Sequence, residues 1–137
     1  MRVFIDTSAF IALTIASEAK HSQCLTKYQE YKQSNSLFYT NHLVLSELYT
    51  RLLYDAGKTA CAKIIAKIND LRHEGKIKVF QLDSGIFAQA EKIMLQFAEH
   101  KLSFTDATIC SMMKEYKLDE IFTLDTDFRK VGVPSSF

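Results

Sequence analysis

Apolar and polar positions follow two rhythms along this chain. Short runs of apolar, β-branched or aromatic residues read as strands: Val3 to Ile5, fully buried, then Leu37-Phe38-Tyr39, Ile77 to Leu82 and Ile121-Phe122-Thr123. Between these runs, apolar residues recur three or four apart, which is the helical spacing. Asp6-Thr7-Ser8 offers a cap for a helix that continues from Ala9 to Ile15. Glu18 to Gln33 reads as a more exposed helix with Cys24, Leu25, Tyr28 and Tyr31 on its apolar side, and Ser34-Asn35-Ser36 turns the chain. Thr40-Asn41 caps a helix through about Asp55, whose inner face is Val44, Leu45, Leu48 and Leu52, and Gly57 ends it. The next helix runs from Thr59 to Glu74 with Ile64, Ile65, Ile68 and Leu71 inward, and Gly75 stops it. Asp83-Ser84 opens a long helix to about Lys101, and Ser103 opens another that ends near Tyr116. Asp125 to Phe128 reads as a turn or short helix, and Val131 to Val133 as a weak edge strand.

Strands that alternate with helices predict an α/β fold with a central parallel sheet of four to five strands, covered by helices on both faces. The 137 residues suit one domain over 1–137, and no repeat, linker or boundary interrupts the pattern. One Pro and four Gly leave few breaks, which favours helix. A net charge of +1 argues against a uniform basic field of the kind that holds nucleic acid non-specifically, while leaving room for a local basic groove. Cys24, Cys61 and Cys110 are odd in number and form no CxxC, so neither a disulfide framework nor a thiolate zinc site is expected. Reduced thiols point to the cytoplasm. Asp6 interrupts the opening apolar run too early for a secretion signal, and no segment approaches the ~20 apolar residues of a membrane helix.

Chemistry gathers at the ends of the strands. An open α/β sheet binds its ligands beyond the carboxyl ends of its strands. Asp6 directly follows the first strand, and Asp125 follows the fourth after one intervening residue. Glu47 lies in the second turn of the helix after the second strand, and Asp106 in the first turn of the helix that Ser103 opens. Each has a plainer reading by itself. Asp6 suits a helix cap, Ser103 to Asp106 a capping box, Glu47 a solvated helix flank, and Asp125 and Asp127 a turn. Together they would repel one another unless a cation intervened. Hard divalent cations take oxygen ligands, and Mg²⁺ keeps several waters beside one or two carboxylates. Such a site suits phosphodiester hydrolysis.

Other signals carry less. His21, His42, His73 and His100 show no metal-ligand spacing, though His42 stands near a helix start close to the expected site. Gly57-Lys58-Thr59 lacks the upstream glycine of a phosphate-binding loop. Asp125-Thr126-Asp127 is like an aspartyl-phosphatase nucleophile motif but follows the wrong strand, and a receiver-type phosphorylation domain would need a lysine near the last strand that has no clear candidate. Arg51, Lys58, Lys63, Lys67 and Arg129-Lys130 are candidate phosphate contacts. Phe38, Tyr39 and Phe104 read as core, and Tyr49 and Tyr54 as partly exposed rings able to stack on bases or a partner.

Four motifs in order carry a resemblance to the PIN-domain family: Asp6-Thr7-Ser8-Ala9, Leu45-Ser46-Glu47, Leu102-Ser103-Phe104-Thr105-Asp106-Ala107-Thr108-Ile109, and Thr123-Leu124-Asp125-Thr126-Asp127-Phe128. The third is the most specific. Length and the lack of a further domain are similar to VapC-like toxins of toxin–antitoxin pairs. The resemblance implies a Mg²⁺- or Mn²⁺-dependent endoribonuclease in which Asp6, Glu47, Asp106 and Asp125 bind metal and Asp127 serves as an outer ligand. Ser8, Thr105 and Thr123 would supply hydroxyls. An RNA substrate, an antitoxin protein and a homodimer are the partners it implies. A non-catalytic or RNA-processing PIN-like module that binds RNA or protein is the alternative.

Overall fold

The computed structural model describes residues 1–137. Four strands form one parallel sheet: β1 (Arg2–Ile5), β2 (Leu37–Asn41), β3 (Ile77–Phe80) and β4 (Glu120–Phe122), in the order β3-β2-β1-β4. Seven helices accompany them. α1 (Thr7–Thr14) and α2 (His21–Gln33) connect β1 to β2, and α3 (His42–Ala56) and α4 (Lys58–His73) connect β2 to β3. α5 (Ser84–Gln96) and α6 (Phe104–Glu115) precede β4, and the short α7 (Asp127–Lys130) follows it.

The strand order dictates the layers. From β1 to β3 each step moves the same way across the sheet, and the step from β3 to β4 reverses it. With right-handed crossovers, a reversal puts the later helices on the opposite face. Accordingly α3 packs on α1 and α4, while α5 packs on α6. The result is the three-layer α/β arrangement expected, with β1 between the two sheet halves. Val3, Phe4, Ile121 and Phe122 are wholly buried, as strands covered on both faces require. The reversal falls between β1 and β4, and doubly wound sheets bind ligands beyond the carboxyl ends of the strands at such a point.

Four expectations need correction. The helix from Ser84 stops at Gln96 rather than Lys101; a 3₁₀ turn over Ala98–His100 and a left-handed Lys101 (φ 54°) follow. No Gly or Pro causes this break. Phe97 packs against the core and Leu102 is buried, yet five residues apart on a continuous helix they would face about 140° apart. The break lets both turn inward. Val131 to Val133 is not an edge strand. Val131 caps α7, Gly132 takes φ 78°, and the edge pairing falls later, where Ile121 N–H donates to Pro134 O and Ile121 O accepts from Ser136 N–H. Ile65 faces outward at 36% exposure, because the inner stripe of α4 is Cys61, Ile64 and Ile68. Phe104 is only half-buried, against the exposed ring of Phe87.

Candidate active site

Asp6 stands one residue beyond β1, and the sheet continues far enough for its N–H to donate to Phe122 O on β4. Its extended backbone turns the chain into α1, and its Oδ1 accepts from Thr7 N–H at 2.8 Å. The other oxygen, Oδ2, accepts from the Thr123 hydroxyl at 2.8 Å. Thr123 follows β4, so β1 and β4 meet through this bond. With the Thr123 proton given to Asp6, the Ser8 hydroxyl donates across the 3.2 Å to Thr123 Oγ1, or more weakly to Asp6 Oδ2 at 3.5 Å. Ser8 Oγ in turn accepts from Leu124 N–H, and Thr123 Oγ1 from Asp125 N–H. Two hydroxyls therefore tie the loop after β4 to the first turn of α1.

That loop is held from behind as well. Phe128 is wholly buried and anchors α7. Asp125 Oδ1 accepts from Asp127 N–H at 2.9 Å, an Asx turn that points the chain into α7. The Asp127 carboxylate is engaged elsewhere, since its Oδ1 accepts from Lys130 Nζ at 2.8 Å. That bond holds the Asp127 carboxyl below its ordinary range. Asp127 thus braces the site through its N–H and meets a lysine with its charge.

Asp106 is the third residue of α6. Ser103 Oγ accepts from Asp106 N–H, and Asp106 Oδ2 accepts from Ser103 N–H, a complete capping box. The capping reading of Asp106 is thus correct as far as it goes. It leaves Oδ1 without a hydrogen bond from the protein. Glu47 is exposed on α3, on the flank beside the buried stripe of Val44, Leu48 and Leu52. Thr105 is half-buried and gives its carbonyl to the Thr108 hydroxyl, and His42 is exposed at the start of α3.

Electrostatics joins these positions. The Asp6 carboxyl is pushed up to about 7, first by burial and then by the charges of Asp106 and Asp125, although the Thr123 and Thr7 bonds pull it down. Asp106 is raised by burial, with Asp125 and Glu47 adding to the shift. Asp106 therefore feels all three other carboxylates. No Lys, Arg or His forms an ion pair with Asp6, Glu47, Asp106 or Asp125. Nor do three or more His, Cys, Asp or Glu side chains close into a single cage. The carboxylates repel one another and stand without an ion-pair partner.

Sequence reasoning missed three participants. Asn41 passed as a plain helix cap, yet it is wholly buried between layers. Thr7 Oγ1 is buried beside Asp6 without a hydrogen-bond partner. His100 is half-buried in the 3₁₀ turn, and its charge helps to lower Asp127. The first had a signal, an amide at a strand's carboxyl end; the other two follow from packing alone.

Known proteins share this fold. The crystal structure of VapC20 from Mycobacterium tuberculosis, a toxin that cleaves the sarcin-ricin loop, superposes with a TM-score of 0.81 at 25% identity over 96% of this chain and 95% of that one. The curated protein of the same name, a 23S rRNA-specific endonuclease, is 26% identical over 130 residues, which is 95% of this chain and 94% of its own. VapBC2 from Rickettsia felis, solved with a DNA fragment from its promoter, has the same fold at a TM-score of 0.73 and 11% identity, covering 99% of this chain and 98% of that one. The model of the PIN domain matches residues 3–134, nearly the whole length, and the chain belongs to the PIN domain family.

Proposed function

We propose that this protein is a divalent-metal-dependent endoribonuclease that hydrolyses RNA phosphodiester bonds and serves as the toxin of a toxin–antitoxin pair. One observation carries the reading: Asp106 stands near enough to Asp6, Asp125 and Glu47 for their charges to act on one another, and none of the four forms an ion pair. Uncompensated carboxylates that raise one another are costly unless a cation joins them. Their all-oxygen chemistry and open geometry fit Mg²⁺ or Mn²⁺, which keep waters beside a few carboxylates. VapC20, an RNA endonuclease alike over nearly the whole chain, supports the same substrate class.

In this reading Asp6, Glu47, Asp106 and Asp125 hold the ion, which supplies Lewis-acid chemistry toward phosphate and water. The protein's own part is placement. The Thr7 amide and Thr123 hydroxyl fix both oxygens of Asp6, and Ser8 holds Thr123 in register. The capping box leaves one Asp106 oxygen free to face the crevice. Burial pushes the Asp6 carboxyl up to about 7, and a cation held there would favour its ionised form. Arg51 stands one turn beyond Glu47 on α3, exposed and in no ion pair, where it suits an RNA phosphate. Tyr54, 79% exposed one turn further, suits a base or a second copy of the chain. An antitoxin protein that covers the acidic crevice and a homodimer complete the proposal; exposed Leu53 and Leu95 supply apolar surface for such contacts.

The decisive experiment is end-group analysis of cleaved RNA. Attack by water with departure of the 3′-oxygen leaves a 5′-phosphate and a free 3′-hydroxyl, and EDTA abolishes it. A 2′,3′-cyclic phosphate formed equally well in EDTA would refute the mechanism and return these carboxylates to capping and turn roles.

A further inference from the structure

A helix N-cap needs one acceptor atom, and Ser, Thr or Asp supplies it as well as Asn does. Asn41, the last residue of β2, does more. Its Oδ1 accepts from Val44 N–H at 2.9 Å and so caps α3. Its Nδ2 lies 3.3 Å from Thr108 Oγ1 and 3.3 Å from Met112 Sδ, both on α6. The Thr108 hydroxyl spends its proton on Thr105 O at 2.6 Å, which leaves its lone pairs for the amide. Asn41, Thr108 and Met112 are all wholly buried. A buried amide is expensive unless its hydrogen bonds are met, and a thioether is a weak acceptor. For stability alone, an apolar residue with a surface cap would serve better.

Position explains the cost. α3 and α6 lie in different layers with the sheet between them, and no other side-chain hydrogen bond links the start of α3 to α6. α3 carries Glu47, whose side chain has no protein partner, so its location follows the helix alone. α6 carries Asp106, whose side chain is locked to Ser103 by the capping box. The spacing of the two helices therefore sets how near the turn of α3 that carries Glu47 stands to Asp106, and the two charges repel each other. We infer that Asn41 is a positioning residue of the acidic site: through Val44 on one side and Thr108 on the other, it holds the turn of α3 that carries Glu47 in place against the turn of α6 that carries Asp106.

The inference rests on the cluster being a cation site, and the test keeps the two apart. Asn41→Ser retains a capping oxygen but is too short to reach α6. Thr108→Val keeps the shape and removes the acceptor. Asp83→Ala removes the cap of α5, away from the cluster, and controls for a plain loss of stability. Mn²⁺ binding to the RNA-free protein, measured calorimetrically, should weaken about tenfold in Asn41→Ser and Thr108→Val, the loss typical of residues that orient a metal ligand. The double variant should lose no more than the worse single, because both break one bridge. Asp83→Ala should bind as the native protein does. Hydrogen exchange on the metal-free protein supplies the independent arm: Thr108→Val, though it lies in α6, should speed exchange at Val44 in α3. Native Mn²⁺ affinity in both variants, or unchanged exchange at Val44, overturns the bracing role. Should the native protein take up no Mn²⁺ at all, the cation reading falls, and the exchange result alone decides the brace.

Discussion

The carboxylates of this site live in two different settings. Asp6 is 6% exposed at the end of the central strand, with both oxygens bound by the Thr7 amide and the Thr123 hydroxyl. Asp106 and Asp125 are half-buried at the rim, and Glu47 is exposed. Rim carboxylates perform ordinary tasks while they wait: Asp106 closes a capping box and Asp125 shapes a turn. Asp6 caps α1 too, but from a depth where desolvation outweighs its hydrogen bonds and pushes it to about 7. A residue kept only as a cap would sit at the surface, where it costs nothing. The depth of Asp6 is the part of the site that capping does not account for.

The largest effect expected from breaking this contrast is on cleavage. Asp6→Asn or Asp106→Asn should reduce RNA cleavage by more than about a hundredfold, beyond the range for residues that merely orient a ligand. Single-turnover assays on folded protein check this, and a variant near native rate would remove that residue from the cation-holding set.

Stability should separate the two settings through its dependence on pH. Folded Asp6 titrates near 7 against 3.8 unperturbed, so between those values the folded state holds the extra proton. Its contribution to metal-free stability is fully present below about pH 4 and is lost as pH rises to about 7. Asp6→Asn should flatten this fall in the cation-free protein, because the amide does not titrate. Added Mn²⁺ should stabilise the native protein by mass action and leave the variant unmoved. Urea melts at pH 5 and pH 8 measure both. At the rim, Ser103→Ala should destabilise by about 1 kcal/mol through loss of the cap, at either pH. The smallest change expected is in substrate binding. Arg51→Ala should raise KM a few-fold with kcat unchanged and weaken its dependence on salt.

Much of the fold was legible because its signals are local. Runs of Val, Ile and Phe bounded by caps marked all four strands, and Asp6, Asn41, Asp83 and Ser103 cap the helices their sequences advertise. The placement of Asp6 and Asp125 at strand ends was legible too, because it follows from an α/β pattern. The break at Gln96 was not, because it answers to the inward turn of Phe97 and Leu102 rather than to any breaker. Nor was the outward turn of Ile65, which depends on the rotation of α4 against its neighbours.

The residues alone thus determined the four strands, the parallel sheet and the capped starts of four helices, because hydrophobic period and capping chemistry act within a few residues. Tertiary structure decided the differences among the acidic positions. That Asp6 is buried while Glu47 is exposed, that Asp127 turns to Lys130, and that Asn41 reaches across the sheet to Thr108 all depend on distances between segments far apart in the chain. Desolvation and hydrogen bonding act over ångströms in space, and only the packed layers bring those segments within that range.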